Sequence, residues 1–479
     1  MSRPVPLPIR DTTIIQDADI ILNTISPVDG SVVASVSQAN LEDIDRALDL
    51  SNLAQVAWRE TPLSQRKSIC HKAIDALLSH KSMIASELSW MIGRPIKYAA
   101  SELKGVEERA RYMIEISDDA LAPVILPKKK NFTRRITREP LGSILIIAPW
   151  NYPYLTAINS LIPALLAGNS VILKHSSQTP LCAERLHQAF TKAGLPNDVF
   201  QYLHLNHKNT EQLIASERIQ HVVFTGSVNG GAIIEQAAAG HFHSIGLELG
   251  GKDPAYVCAD ADIDAAVETL VDGALFNSGQ SCCGIERVYV DAAIHDEFVT
   301  KAIAIINQYR LGSPLELDTT IGPMVRASAA DFVRQQIREA TELGAKAHIV
   351  ESNFPLSREG TPYLAPQLLT NVNHQMRIMT EETFGPVLPI QKVHSDNEAI
   401  SLMNNSEYGL TASVFTTNIK RAVKLGEQIE TGTFFVNRCD YLDPALAWTG
   451  VKHSGKGYSL SQLGFETLTR PKSFHIKHC

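Results

Sequence analysis

Between residues 41 and 120 apolar positions recur every three or four residues, broken at Gly93-Arg94-Pro95. That spacing lines one face of a helix, so the pattern predicts helices over 41–60 and 64–120. The rhythm changes at 123–141. Val124-Ile125-Leu126, a basic turn and Thr133 to Thr137 read as an extended hairpin that ends at Pro140-Leu141-Gly142. From 143 short apolar runs alternate with longer amphipathic ones. Ile144 to Ala148 is a strand, and 155–167 is an apolar helix closed by Gly168. Val171-Ile172-Leu173 is a second strand, followed by a helix over 179–193 that Gly194-Leu195-Pro196 ends. Phe200 to Leu203 and His221 to Phe224 are further strands with a helix between them, and a helix at 228–239 precedes the Leu247-Glu248 strand. Strand–helix alternation at this spacing predicts a doubly wound parallel sheet, which binds ligands at the carboxyl ends of its strands.

A second α/β stretch follows from about 252 to 437. Its helices are expected near 262–277, 292–308, 327–343, 396–404 and 418–429, and its strands near 286–290, 347–350, 387–393 and 411–416. The tail from Thr467 to Ile476 is extended again. A central hairpin and a terminal strand predict one small sheet assembled from both.

Length and composition refine this picture. A chain of 479 residues exceeds one ordinary core, so two or three domains are expected. With 44% hydrophobic and 20% charged residues the composition is that of a soluble globular protein. A net charge of −7 argues against nucleic acid or an anionic membrane as partner. The short basic run Lys128-Lys129-Lys130 reads as a solvated edge. Seven cysteines (Cys70, Cys182, Cys258, Cys282, Cys283, Cys439, Cys479) show no pairing framework and suit a reducing compartment. No CxxC pair or Cys/His cluster has zinc spacing, so no metal is expected. Met-Ser-Arg-Pro-Val-Pro-Leu-Pro at the start lacks the apolar core of a signal peptide, and no run approaches membrane-spanning length; the expected location is cytoplasmic.

The chemistry concentrates in two motifs. Phe276-Asn-Ser-Gly-Gln-Ser-Cys282-Cys283 sets a thiol among small polar residues, and Leu247-Glu248-Leu-Gly-Gly-Lys252 sets a carboxylate in a glycine-rich turn. A thiol with a detached carboxylate suits covalent catalysis followed by hydrolysis. These motifs resemble the nucleophile and general-base motifs of the NAD(P)-dependent aldehyde dehydrogenase superfamily, and the resemblance spans about 20–475. It makes Cys282, in Gly-Gln-x-Cys, the nucleophile and Glu248 the base, with Cys283 an incidental thiol. It also implies that the amide of Asn151, in Pro149-Trp150-Asn151-Tyr152-Pro153, joins the Cys282 backbone N–H in holding the substrate oxygen. The fold implied is α/β and aldehyde-dehydrogenase-like. It comprises a Rossmann-type cofactor domain (1–121 and 142–250), a second α/β catalytic domain (251–455) and a bridging, oligomerising element (122–141 and 456–479) that would form a dimer or tetramer.

No GxGxxG follows the first strand; instead Phe224-Thr225-Gly226-Ser227 leaves a strand and Gly230-Gly231 lie in the next helix. Glycines there let backbone approach a pyrophosphate at a helix N-terminus. The resemblance assigns Trp150, Lys174, Ser177, Gly226, Ser227, Gly231, Glu382 and Phe384 to the cofactor, with Glu382 on the nicotinamide ribose and Phe384 beside the nicotinamide. NAD-preferring members often carry a glutamate where this chain has Ser177. A hydroxyl there can donate to a 2′-phosphate, which favours NADP with NAD also accepted. Thr156, Asn159, Phe276, Ser281, Cys439 and Trp448 are expected around the acyl chain, with Arg438 at the rim. Many succinic-semialdehyde members carry two arginines where this chain has Asn159 and Phe276. An ordinary aldehyde is therefore the first expectation, a semialdehyde the alternative, and a non-catalytic binding member a distant one that the presence of Cys282 and Asn151 disfavours.

Overall fold

The computed structural model describes residues 21–478; the Met1–Pro8 stretch and Cys479 lie outside them. The helical N-terminal region forms as its spacing predicts, over Leu41–Glu60, Leu63–Leu78, Lys81–Ile92 and Ser101–Ala120. The first helix starts on a reciprocal cap, in which the Asn40 side chain accepts from the Asp43 N–H and the Asp43 carboxylate from the Asn40 N–H. The third ends where Gly93 turns left-handed at φ 77°.

Five parallel strands build the first sheet, in spatial order Ser244–Glu248, His221–Thr225, Ser143–Ala148, Ser170–His175 and Phe200–Tyr202. Buried strands alternate their side chains between two helical layers, which is why their sequences are continuously apolar. Ile144, Ile146 and Ala148 enter one core with the helices Leu63–Leu78 and Pro153–Ala167, whereas Leu145 and Ile147 enter another with Leu41–Glu60 and Val228–Ala238. A late segment, Gly455–Lys456, returns to pair antiparallel with Glu248 and Leu247 at the sheet's edge.

The second sheet has seven strands in the order Lys346–Ala347, Gln367–Thr370, Val387–Val393, Ile285–Asp291, Asp253–Val257, Thr411–Phe415 and Thr433–Val436. All adjacent pairs are parallel except the first. Three of these strands, Asp253–Val257, Gln367–Thr370 and Thr433–Val436, are absent from the sequence reading, as is an N-terminal hairpin of Ile21–Ile25 with Val32–Ser37. Asp253-Pro254 opens its strand with a residue that cannot donate to a ladder, and the register against Ile285–Asp291 shifts there. The strand expected at 347–350 stops at Ala347 and gives way to a short turn of helix at Glu351–Asn353. The tail and the hairpin do join: Thr469–Lys477 pairs with Phe132–Pro140 from Thr469↔Pro140 to Lys477↔Phe132, and Val124–Ile125 adds a third strand. No helix of the described residues is long and apolar enough to cross a membrane.

Asn169 links this small sheet to the first. Fully buried, its Oδ1 accepts from the N–H groups of Leu141 (2.7 Å) and Gly142 (3.0 Å), and its Nδ2 donates to the carbonyls of Ala164 (3.2 Å) and Leu468 (2.9 Å). Asn169→Ala removes the partner of the half-buried Leu141 and Gly142 N–H groups and of the buried Leu468 carbonyl, while the Ala164 carbonyl keeps the backbone N–H of residue 169; it is expected to cost about 2 kcal/mol, read as a lower urea midpoint at unchanged m. A midpoint within error of the parent would remove Asn169 from this role.

Candidate active site

The loop that carries Cys282 is strained. After the helix Ile263–Leu275, Asn277 (φ 54°), Ser278 (φ 57°) and Gly279 (φ 71°) are all left-handed. A side chain on Gly279 would collide with the Gly385 carbonyl, so the loop lies directly on the backbone after Phe384. Such strain persists only where surroundings over-determine it. Here the Ser278 hydroxyl donates to the Gly322 carbonyl at 2.8 Å, and the Gln280 side-chain oxygen accepts from the Val325 N–H at 2.8 Å. The two thiols then part. Cys282 is half-buried and faces a cavity of about 460 Å³. Cys283 is buried and donates to Asp440 Oδ1 at 2.9 Å, which the Ser281 hydroxyl also meets at 3.2 Å. The adjacent Cys282 thiol and burial push the Cys283 thiol well above its ordinary range, and burial holds Asp440 up at about 6.

Asn151 is set from behind by Arg94. This buried guanidinium donates from Nη2 to the Asn151 carbonyl, from Nε to Asn277 Oδ1 at 3.0 Å, and from Nη1 to Glu102 Oε2 at 2.5 Å. Glu102 in turn accepts from the N–H groups of Tyr154 (2.8 Å) and Leu155 (3.2 Å), in the first turn of the helix Pro153–Ala167. One ion pair thus fixes the asparagine's backbone, the strained loop and the helix that follows the asparagine. The Asn151 amide donates to the Gln280 carbonyl at 3.3 Å, on the same loop as Cys282.

Glu248 ends its strand at the carboxyl edge of the first sheet. Its Oε1 accepts from the Ser459 hydroxyl at 2.5 Å and its Oε2 from the Thr225 hydroxyl at 3.2 Å. Burial pushes its carboxyl above the usual range, opposed by those two hydroxyls and by the charge of Arg109. Glu248 lines a second cavity of about 250 Å³, whereas Thr225 lines the same cavity as Cys282.

Trp150, Gly226, Ser227, Glu382 and Phe384 line the larger cavity together with Asn151 and Cys282. The Ser227 side chain caps the helix Val228–Ala238 by accepting from the Gly230 N–H, so that helix's free N–H groups open at the cavity. A cleft lined by both a helix N-terminus and aromatic rings has the chemistry to take a dinucleotide. Trp150 and Phe384 stand edge-on at 5.8 Å. Phe384 (φ 50°) is held by its N–H to Glu286 Oε1 at 2.8 Å, and the buried Lys252 donates to Glu286 Oε2 at 2.7 Å. Gly231 is buried instead under Leu249, off the cavity wall. Lys174 and Ser177 do not line the cavity either. Lys174 is half-buried at the end of the neighbouring strand, paired with Ile147, and burial draws its ammonium down to about 8; Ser177 is exposed.

The residues expected around the acyl chain each have their own neighbours. Asn159 is buried beside Arg109, and Phe276 is half-buried against Tyr98 at 5.5 Å. Thr156 turns its hydroxyl to the Tyr152 carbonyl, Ser281 faces Asp440, and Trp448 is buried and pairs with the backbone of Ser459. Cys439 is buried with its thiol toward the Thr269 carbonyl at 3.5 Å. Arg438, expected at the rim, is exposed and stacks on the Tyr441 ring at 3.6 Å. Sequence reading missed Arg94, Glu102, Glu286, Ser459 and Arg109. Gly93-Arg94-Pro95, a charge inside a helix break, was the one signal available; the others are ordinary surface-type residues in helices, strands and loops.

Glu382 lies against Gly250 and accepts from the Gly251 N–H at 3.0 Å. Burial, and then the charge of Glu286, push its carboxyl up to about 7 from 4.5. A raised acid keeps its proton in the folded chain when the unfolded chain would release it. Its contribution to stability is complete below pH ~4.5 and is lost as pH rises through ~7. Glu382→Gln should therefore gain on the parent between pH 5 and 8, by about 1–3 kcal/mol at the upper end. Parallel stability curves for the two proteins across that window would contradict the assignment.

The sequence profile of the aldehyde dehydrogenase family matches residues 15–474. An NADP-dependent glyceraldehyde-3-phosphate dehydrogenase of Streptococcus equinus is 36% identical over 455 residues, covering 94% of each chain. An NADP-linked succinate-semialdehyde dehydrogenase of Deinococcus radiodurans is 31% identical over 449 residues, covering 94% of this chain and 93% of its own. Among solved structures, a succinic semialdehyde dehydrogenase from Streptococcus pyogenes in complex with NADP+ superimposes with a TM-score of 0.90 at 28% identity, over 95% of this chain and all of that one. Profile, relatives and fold agree along almost the whole length, and the chain belongs to the aldehyde dehydrogenase family, as an oxidoreductase acting on aldehydes.

Proposed function

We propose that this enzyme oxidises an aldehyde to the carboxylic acid through a thioester on Cys282, using NADP in preference to NAD. The observation that carries the reading is the single cavity that joins Cys282 and Asn151 to a capped helix terminus, Trp150, Glu382 and Phe384. The Cys282 thiolate adds to the carbonyl carbon, and the carbonyl electron pair moves to oxygen. The Asn151 amide and the Cys282 N–H hold that oxyanion, a contribution of about 3–4 kcal/mol in comparable sites. A nicotinamide cofactor held in this cavity by Glu382 and Phe384 would supply the hydride acceptor. Once the carbonyl re-forms as a thioester, Glu248 deprotonates a water that adds to it, and the C–S bond breaks to return the thiolate. The hydroxyls of Ser459 and Thr225 orient the Glu248 carboxylate until that step.

The first sheet with 1–121 and 142–250 would hold the cofactor, and 251–455 would supply the nucleophile. Ser177, in place of a carboxylate, supports the NADP preference, as do the NADP-dependent relatives. The three-stranded sheet offers a long outer strand, Thr469–Lys477, and would join copies into a dimer or tetramer. Free thiols at Cys70, Cys182, Cys258, Cys282, Cys283 and Cys439 suit the cytoplasm. A second reading, a semialdehyde as substrate, draws support from the named substrates of the Deinococcus relative and of an Escherichia coli one 32% identical over 443 residues.

Glu248→Gln should give one burst of NADPH per Cys282 from butanal and then turn over ~10²-fold or more below the parent; Cys282→Ser should give neither. In the parent, hydrolysis should fall as pH drops through the raised carboxyl of Glu248, because only the ionised form takes the proton from water. Steady turnover by Glu248→Gln within threefold of the parent would take that residue out of the hydrolysis.

A further inference from the structure

Among the described residues, Arg326 is the one cationic side chain on the wall of the cavity that Cys282 faces. It immediately precedes the helix Ala327–Glu342, whose Ser328 and Ala329 line the same wall. That helix packs Ala330, Val333 and Ala340 into a core of the second sheet, whereas the Ser227-capped helix packs Ile234 and Ala238 into a core of the first. The cavity therefore receives one helix start from each sheet. A serine heads the helix on the first sheet, and an arginine heads the helix on the second.

Local helix energetics do not explain that arginine. Ser, Thr, Asp or Asn suits a helix start because it accepts from the free N–H groups, whereas a cation only donates and meets the positive end of the helix dipole. The Arg326 side chain makes no cap bond, and no acid stands in the first turn to offset its charge. It is exposed and forms no ion pair among the described residues. Glu382, the carboxylate on the same wall, accepts from the Gly251 N–H, and Arg377, whose guanidinium lies over the ring of the wall residue Phe332, is neutralised by Glu339 and Glu381. The backbone beneath Arg326 is nevertheless tied to the Cys282 loop. Its predecessor Val325 donates its N–H to the Gln280 side chain at 2.8 Å, two positions before Cys282.

We propose that Arg326 binds the diphosphate of the nicotinamide cofactor, so that this anion is met by helix N–H groups from the first sheet and by a guanidinium from the second. The inference rests on the reading of this cavity as the NAD(P) site and adds to it a cation that neither the motifs nor the helix start accounts for. The covalent chemistry of the cofactor selects the anion. Hydride transfer needs the nicotinamide ring beside Cys282, and the first anionic group along the molecule from that ring is the diphosphate, one ribose away. The 2′-phosphate lies on the far ribose, and Lys174 and Ser177, expected there, do not line this cavity. A planar guanidinium presents two parallel N–H donors to phosphate oxygens, and its charge offsets the carboxylate of Glu382 on the same wall.

The test is direct binding of NADP, NAD and ADP-ribose, without aldehyde, to parent, Arg326→Gln and Arg326→Lys by titration calorimetry. Arg326→Gln should raise Kd for all three by a similar factor of ~5- to 30-fold, and Arg326→Lys should recover part of the loss, since an ammonium keeps the charge but not the fork. The urea midpoint of unliganded Arg326→Gln should stay at or above the parent's, because the side chain has no partner to lose. A loss confined to NADP would move the contact to the 2′-phosphate and overturn the diphosphate assignment. Unchanged Kd values would remove Arg326 from the cofactor site, and a lowered midpoint with equal recovery by neither variant would make it a structural residue instead. If the parent binds none of the three ligands, the reading of the cavity as the NAD(P) site fails first; if it binds them and Arg326→Gln binds them as tightly, that reading stands and this inference alone falls.

Discussion

The Arg94–Glu102 pair is the constraint on which the geometry around Asn151 and the Cys282 loop depends. Both side chains are almost fully excluded from solvent, at 1% and 0% exposure, so separating either from its partner leaves a charge with no water to replace it. The pair spends every remaining hydrogen bond on backbone or amide groups that must be placed accurately. Arg94 takes the Asn151 carbonyl and the Asn277 amide oxygen, and Glu102 takes two N–H groups at the start of the following helix. Its value lies in geometry more than in stability, since a buried ion pair repays little of its desolvation. An oxyanion donor misplaced by an ångström loses most of its effect.

The same economy holds at Phe384 on the cavity wall. Lys252 and Glu286 form a second buried pair, and Glu286 also accepts the N–H groups of Thr383 (2.7 Å) and Phe384 (2.8 Å). That holds Phe384 in a left-handed conformation a phenylalanine rarely adopts, with its ring across from Trp150. Strain on the Cys282 loop and strain at Phe384 meet where Gly279 touches Gly385. Two segments of the cavity wall more than a hundred residues apart thus press on one another.

Burial also divides the labour among like groups. Two neighbouring cysteines differ because one faces a cavity and the other an aspartate. Two glutamates differ because Glu248 keeps hydroxyl partners whereas Glu382 sits beside another carboxylate, Glu286. Residue type sets what each group is able to do, and its surroundings set the charge it carries.

The alternation of apolar runs and amphipathic stretches was enough to give the parallel sheets, the helical N-terminal region and the junction of hairpin and tail, because buried strands and helix faces print their periods directly on the chain. The motifs around Cys282, Glu248 and Asn151 could be picked out for a similar reason: small polar and glycine-rich runs stand out against the apolar runs that packing requires. The strand Asp253–Val257 was hidden because its apolar run is short and follows a proline. Arg94, Ser459 and Arg109 had to wait for the fold. Ser459 lies far along the chain from Glu248, and Arg109 fifty residues from Asn159, so neither local pattern nor composition records the contact. The chain alone determined which elements form and which atoms can react. Only the tertiary structure decided which charges are paired, because pairing depends on distances through space and on the water that folding removes.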